Sequence, residues 1–128
     1  MAYCELADLE KALTERTLIQ LTDDLGAGVV DEDIAEDAIT RADGEIDMYL
    51  TRYQLPLSET ASAGLRDIST AVAIYKLYSR VMEEVPSTRR DNYLDAVRKL
   101  EGIRDGKMDL GTETEPEAST SMVRWYAV

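Results

Sequence analysis

The sequence has no histidine, one cysteine, one tryptophan and three prolines. Without histidine there is no histidine-based catalytic triad, no imidazole metal ligand and no histidine pH switch. A single cysteine, Cys4, excludes an internal disulfide and a multi-thiolate zinc site, and it fits a reducing, intracellular setting. No apolar run approaches the roughly 20 residues that cross a bilayer, so no membrane partner is expected. The opening MAYCELADLEKAL carries acid early and has no basic n-region, so it does not read as a signal peptide. Bases are also scarce, 14 Lys and Arg against 26 Asp and Glu, for a formal net charge of −12. That balance argues against a sequence-independent grip on DNA, which requires phosphate neutralisation.

What remains is 128 residues of ordinary apolar content, enough for one domain with its own core. The charge is uneven. Residues 1–50 hold fourteen acids and three bases, whereas residues 51–128 hold twelve acids and eleven bases. Most of the bases fall between Lys76 and Lys107. Such polarity can join copies of one chain, acidic face against basic segment. The candidates are Asp33, Glu36 and Asp37 on one side and Arg89, Arg90, Arg98 and Lys99 on the other. The competing reading is a solvated surface without a partner.

The apolar periodicity is helical throughout. Leu6, Leu9 and Leu13 mark a short helix, and Thr14 caps a second through Leu18, Ile19 and Leu21. Asp31 opens a helix of about five turns, with a stripe through Ile34, Ala38, Ile39, Ala42, Ile46, Tyr49, Leu50 and Tyr53. Gly44 interrupts it, which a close helix crossing would explain. Gln54–Ser62 reads as an extended connector around Pro56. The next helix carries Leu65, Ile68, Val72, Tyr75, Tyr78, Val81 and Met82, and Ala71, Ala73 and Ile74 make it apolar around much of its girth, as suits a central helix. After Pro86, Thr88 with Asp91 resembles a capping box. A last stripe, Tyr93, Leu94, Val97, Leu100 and Ile103, stops at Gly106. These elements predict an all-α fold, a small bundle of four to five helices, two short at the N-terminus and three longer. The helical domain spans 1–107 and an extended C-terminal arm spans 108–128. Within that arm GTETEPEASTS has the composition of a disordered spacer. It leads to MVRWYAV, where Val123, Trp125 and Tyr126 are candidates for docking onto a neighbour or back onto the domain.

No catalytic constellation stands out. LTDDLGAGVVDEDI, Leu21 to Ile34, has the outline of a calcium loop. With Gly28 in the glycine position, however, Leu25, Ala27 and Ile34 supply no side-chain oxygen where ligands are required. The simpler reading is a turn in which Gly26 and Gly28 supply positive φ. The pairs Asp33 with Asp37 and Asp43 with Asp47 read as a solvated helix face rather than an acid–base pair. Tyr49, Tyr53, Tyr75 and Tyr78 read as core packing with hydroxyls at the rim rather than a base-stacking platform. Cys4 reads as a small packing residue. P-loop, dinucleotide-binding and nucleophile-elbow motifs are absent, so neither an enzyme nor a cofactor is expected.

Several stretches resemble a known family. They are MAYCELADLEKAL, TLIQLTDDLGAGVVDEDIAEDAITRADGEIDMYLTRYQLPL, DISTAVAIYKLYSR and RRDNYLDAVRKLEGIRDGKMDLG. Together, across roughly residues 1–111, they are similar to the Mu-like prophage head–tail adaptors, long catalogued as phage proteins of unknown function. Leu25 and Ala27 depart from the fuller calcium-like loop of many relatives. The resemblance implies a structural connector in the virion neck. It implies a homo-oligomeric ring of about a dozen copies between the portal protein and the next neck or tail component, with genome DNA passing through the lumen unbound. In that setting an acidic lumen repels phosphates and lets the duplex slide. The alternative is an acidic DNA mimic that binds a basic host partner with steep salt dependence.

Overall fold

The computed structural model describes residues 2–51, 53 and 59–108. Six helices follow in order: α1 (Leu6–Ala12), α2 (Glu15–Thr22), α3 (Glu32–Asp47), α4 (Glu59–Gly64), α5 (Arg66–Val81) and α6 (Ser87–Arg104). There is no β-strand among the described residues. The all-α bundle is as expected, with α4 as an additional short helix. It occupies the end of the stretch read as an extended connector. Residues 54–58 lie outside the described residues, as do 109–128, including Val123, Trp125 and Tyr126.

The helix starts follow from side-chain chemistry. The Thr14 hydroxyl accepts from the Thr17 N–H at 3.1 Å and opens α2. One Asp31 oxygen accepts from the N–H groups of Asp33 (3.1 Å) and Ile34 (3.3 Å), satisfying two otherwise orphaned donors of α3. The predicted Thr88–Asp91 box does not form. Pro86 holds the N-cap position of α6, so Thr88 lies inside the first turn, too late to cap it. At the far end Gly106 takes φ +81°, its N–H donating to the Ile103 carbonyl at 3.2 Å and that of Lys107 to Gly102 at 2.7 Å. That left-handed residue releases the chain from α6.

α3 is shorter than its stripe. The helix ends at Asp47, and three-residue hydrogen bonds carry the chain on, from Tyr49 to Ile46, Leu50 to Asp47 and Tyr53 to Leu50. The tighter turns still bury Leu50 and Tyr53 in line with Ile46, so the periodicity outlasts the α-helix. Gly44 marks no helix crossing. It is exposed, and a Cβ built there meets no atom within 4 Å. Its cost to the helix is therefore uncompensated. Gly44→Ala should raise the unfolding free energy by about 0.5–1 kcal/mol, read as a higher urea midpoint at unchanged slope.

α5 is the axle of the bundle. It packs against α1, α2, α3, α4 and α6, and buries Ile68, Val72, Ala73, Ile74, Leu77 and Tyr78. Its neighbours α3 and α6 both run antiparallel to it. α6 covers one side through Ala96, Leu100 and Ile103, with Tyr93 half-buried. Leu94, counted in the predicted stripe, points outward at 44% exposure, and Ala96 takes the inward place.

Candidate functional site

A cleft of about 580 Å³ lies between α3 and α5. Its floor is apolar, formed by Ile34 and Ala38 from α3 and Tyr75 from α5. Asp33, Asp37 and Arg41 form one rim, and Lys76, Ser79 and Arg80 form the other. The spacing explains the arrangement. Residues 33, 37 and 41 recur every four positions along one edge of α3, as do 76 and 80 along α5. The cleft therefore lies where the N-terminal turns of α3 meet the C-terminal turns of α5.

The rim bases are held by acids of the chain's first half. Arg41 pairs with Asp37 at 2.8 Å, Lys76 with Glu45 at 2.9 Å and Arg80 with Asp24 at 2.5 Å. Arg80 also donates to the Leu21 carbonyl at 2.8 Å. The Asp33 carboxylate has no partner among the described residues. Glu45 has a second tie, accepting from the Tyr93 hydroxyl at 2.8 Å, so one carboxylate links α3, α5 and α6. Tyr93 stacks on Tyr75 with ring centroids 4.1 Å apart and planes 11° apart. Burial, and then the Glu45 carboxylate beside it, push the Tyr93 hydroxyl well above the usual phenol range. The tyrosines thus serve packing. Tyr53 and Tyr78 are buried, Tyr75 is committed to Tyr93, and Arg104 lies over the Tyr49 ring at 5.6 Å.

The glycine loop closes on itself beside this cleft. Asp23 accepts from the N–H groups of Ala27 (2.8 Å) and Gly28 (2.7 Å), and these donors hold its carboxyl below the usual range. Thr22 accepts from the Asp31 N–H at 3.0 Å and donates to the Leu18 carbonyl at 2.9 Å. Gly26 and Gly28 supply the positive φ the turn requires, +73° and +81°. The Asp23 oxygens that an EF-hand would turn onto calcium are engaged by the loop's own backbone. Among the described residues no three acidic or thiol side chains converge as metal ligands. The fixed loop presents Leu25 to solvent at 88% exposure and Val29 at 61%.

The Asp43–Asp47 pair is not a solvated face. Asp43 is 9% exposed and faces the chain's N-terminal segment, accepting from the Tyr3 N–H at 3.1 Å, with the Ser69 hydroxyl 3.4 Å away. The Tyr3 hydroxyl donates to Asp47. Burial raises the Asp43 pKa despite these donors. Cys4 is buried against Ser69, 3.3 Å from its hydroxyl, as a packing residue should be.

Of the predicted interface residues, Asp33 and Asp37 line the cleft, and Glu36 is exposed on the same helix beside them. Arg89 lies over the Tyr78 ring at 5.8 Å. Arg90, Arg98 and Lys99 lie exposed along α6, with Arg98 paired to Asp95 at 2.5 Å. The antiparallel packing brings the first turns of α3 and α6 to the same end of the bundle. Sequence reasoning missed Glu45, Lys76 and Arg80. Two bases four residues apart among the apolar residues of the second half of α5 were the available sign that acids must meet them.

The family model described as Bacteriophage Mu, Gp36 matches residues 3–124. The chain is also 36% identical over 121 residues to gene product J of Escherichia phage Mu, a match covering 93% of this chain and 83% of that protein. The matched span runs past Gly111, where the resemblance read from the sequence stopped, and into the C-terminal arm as far as Arg124. Since the cleft, the glycine loop and all six helices lie inside it, the chain belongs to the Bacteriophage Mu, Gp36 family.

Proposed function

We propose that the chain is a head–tail connector of a Mu-like virion, made in the host cytoplasm. It assembles as a ring between the portal and the next neck component, around the channel through which DNA leaves. Membership of a phage Mu family supports a virion or morphogenetic role. The observation that carries the connector reading is the α3–α5 cleft with the loop beside it. An apolar floor, rims of both charge signs and a fixed apolar loop tip make a surface suited to a protein partner rather than to a reaction. The net charge of −12 gives a lumen lined by such subunits little affinity for phosphate.

Mixing the purified chain with portal rings tests this reading. The expected result is a complex that gains many 14.3 kDa subunits as one closed set, seen by native mass measurement and by imaging of the neck. Association of the chain with no portal, or a single off-axis copy, would refute it. A chain that instead stays monomeric and binds a basic host protein, weakening steeply with salt, would favour the DNA-mimic alternative.

A further inference from the structure

We infer that the α3–α5 cleft is the receptor for the Met122–Tyr126 segment of a neighbouring copy, with Trp125 on the apolar floor and Arg124 at the Asp33–Asp37 rim. This rests on the ring reading above and supplies its contact.

Three observations converge. The first is size and chemistry. A cleft of about 580 Å³ floored by Ile34, Ala38 and Tyr75 falls within the roughly 300–1,000 Å³ of clefts that bury small ligands, room enough for an indole and its neighbouring side chains. The chain has one tryptophan, and it lies in the run Val123-Arg124-Trp125-Tyr126. The second is charge. Asp33 stands at the rim without a partner among the described residues, and the segment carries one base, Arg124, immediately before the tryptophan. The third is placement. Ser79 and Arg80, on one rim, lie at the end of α5, so the cleft sits beside the start of α6. The described chain leaves from the opposite end, where Gly106 turns it and Met108 lies against Gly102. α6, with 18 residues, separates the two by about 27 Å. A donor at one end and a receptor at the other is the heterologous geometry that makes a ring when its rotation closes. The residues from 109 to 121 span up to about 45 Å when extended, more than the length of α6, so the segment can reach a cleft at the far end of a subunit.

The test uses the full chain carrying Trp125→Ala, which has no tryptophan of its own. A peptide of residues 121–128 then provides the only tryptophan emission. Blue-shifted, saturable emission is expected, with affinity reduced about tenfold or more by Asp33→Lys in that chain, its helical circular dichroism unchanged. No saturable shift, or binding indifferent to Asp33→Lys, overturns the inference whether or not rings form. The direction of exchange is read from Ser79→Cys and Val123→Cys, placed on separate full-length chains and mixed with portal. A disulfide between the two chains supports docking on the neighbour. A disulfide that forms only within a chain carrying both substitutions shows the segment folding back on its own cleft and overturns the inference. If peptide binding succeeds while portal binding fails, the ring reading falls and the cleft assignment stands.

Discussion

Leu77→Ala should lower the unfolding free energy by about 2–5 kcal/mol, the usual cost of emptying a fully packed leucine site. Leu77 has no solvent exposure and lies in the helix that all five others touch. The lost methyl groups cannot be replaced by local collapse, because α5 is held from several sides at once. In a body of this size the change corresponds to a fall in Tm on the order of 10 °C or more. Leu94→Ala is the control. The same chemical deletion on α6, at 44% exposure, should cost no more than about 0.5 kcal/mol. Urea unfolding of the pair measures both, and equal losses would contradict the packing described for α5 and α6.

Asp43→Ala should show the second large effect, and its size should depend on pH. Removing the carboxylate leaves the buried Tyr3 N–H without its acceptor, at a cost of about 1–3 kcal/mol. The native chain is itself penalised near neutral pH. Burial raises the Asp43 pKa, so the folded state favours the protonated acid. A raised carboxyl pKa contributes stability that is fully present below the unfolded value, about 3.9, and is lost as pH rises through the folded value. The native protein should therefore gain stability from this group as pH falls through the folded value toward the unfolded one, and Asp43→Ala should be most costly at the lower end of that window. Asp43→Asn, which keeps an acceptor for Tyr3, should abolish that gain with little loss at neutral pH. Asp23 acts in the opposite sense. Its depressed pKa supports the loop above the ordinary carboxylate range, and that support disappears as pH falls through the folded value. The two windows lie on opposite sides of the usual carboxylate pKa, so denaturation curves taken across acidic pH separate them. A native profile that matches that of Asp43→Asn at every pH above the unfolded carboxylate value would rule out the buried charge.

These residues also show where a sequence is readable. The stripes through α1, α2, α3, α5 and α6 are visible because each is a periodic local pattern, and Thr14, Asp31 and Gly106 punctuate them by local hydrogen bonding. α4 is not visible, because ETASAG is short, polar and without a stripe. The inward turn of Asp43 is not visible either, because its partner Tyr3 lies forty residues away and periodicity reports nothing at that distance. The candidate site was half legible. Asp33 and Asp37 could be picked out as an acidic edge, but the cleft exists only because α5 lies antiparallel beside α3, and the pairing of two helices is not written in either alone. For the same reason the uneven charge of the sequence does not foretell that folding pairs Glu45 with Lys76 and Asp24 with Arg80 inside one subunit.

The burial of Cys4 gives the molecule a built-in reporter. Its thiol is the only one, is 1% exposed, and lies under the segment that Asp43 and Asp47 hold down. A maleimide reagent can reach the sulfur only after that segment lifts, so the labelling rate of the unmodified protein times the lifting directly. Followed before and after mixing with portal, that rate distinguishes a subunit that opens at its N-terminus on incorporation from one that stays clamped.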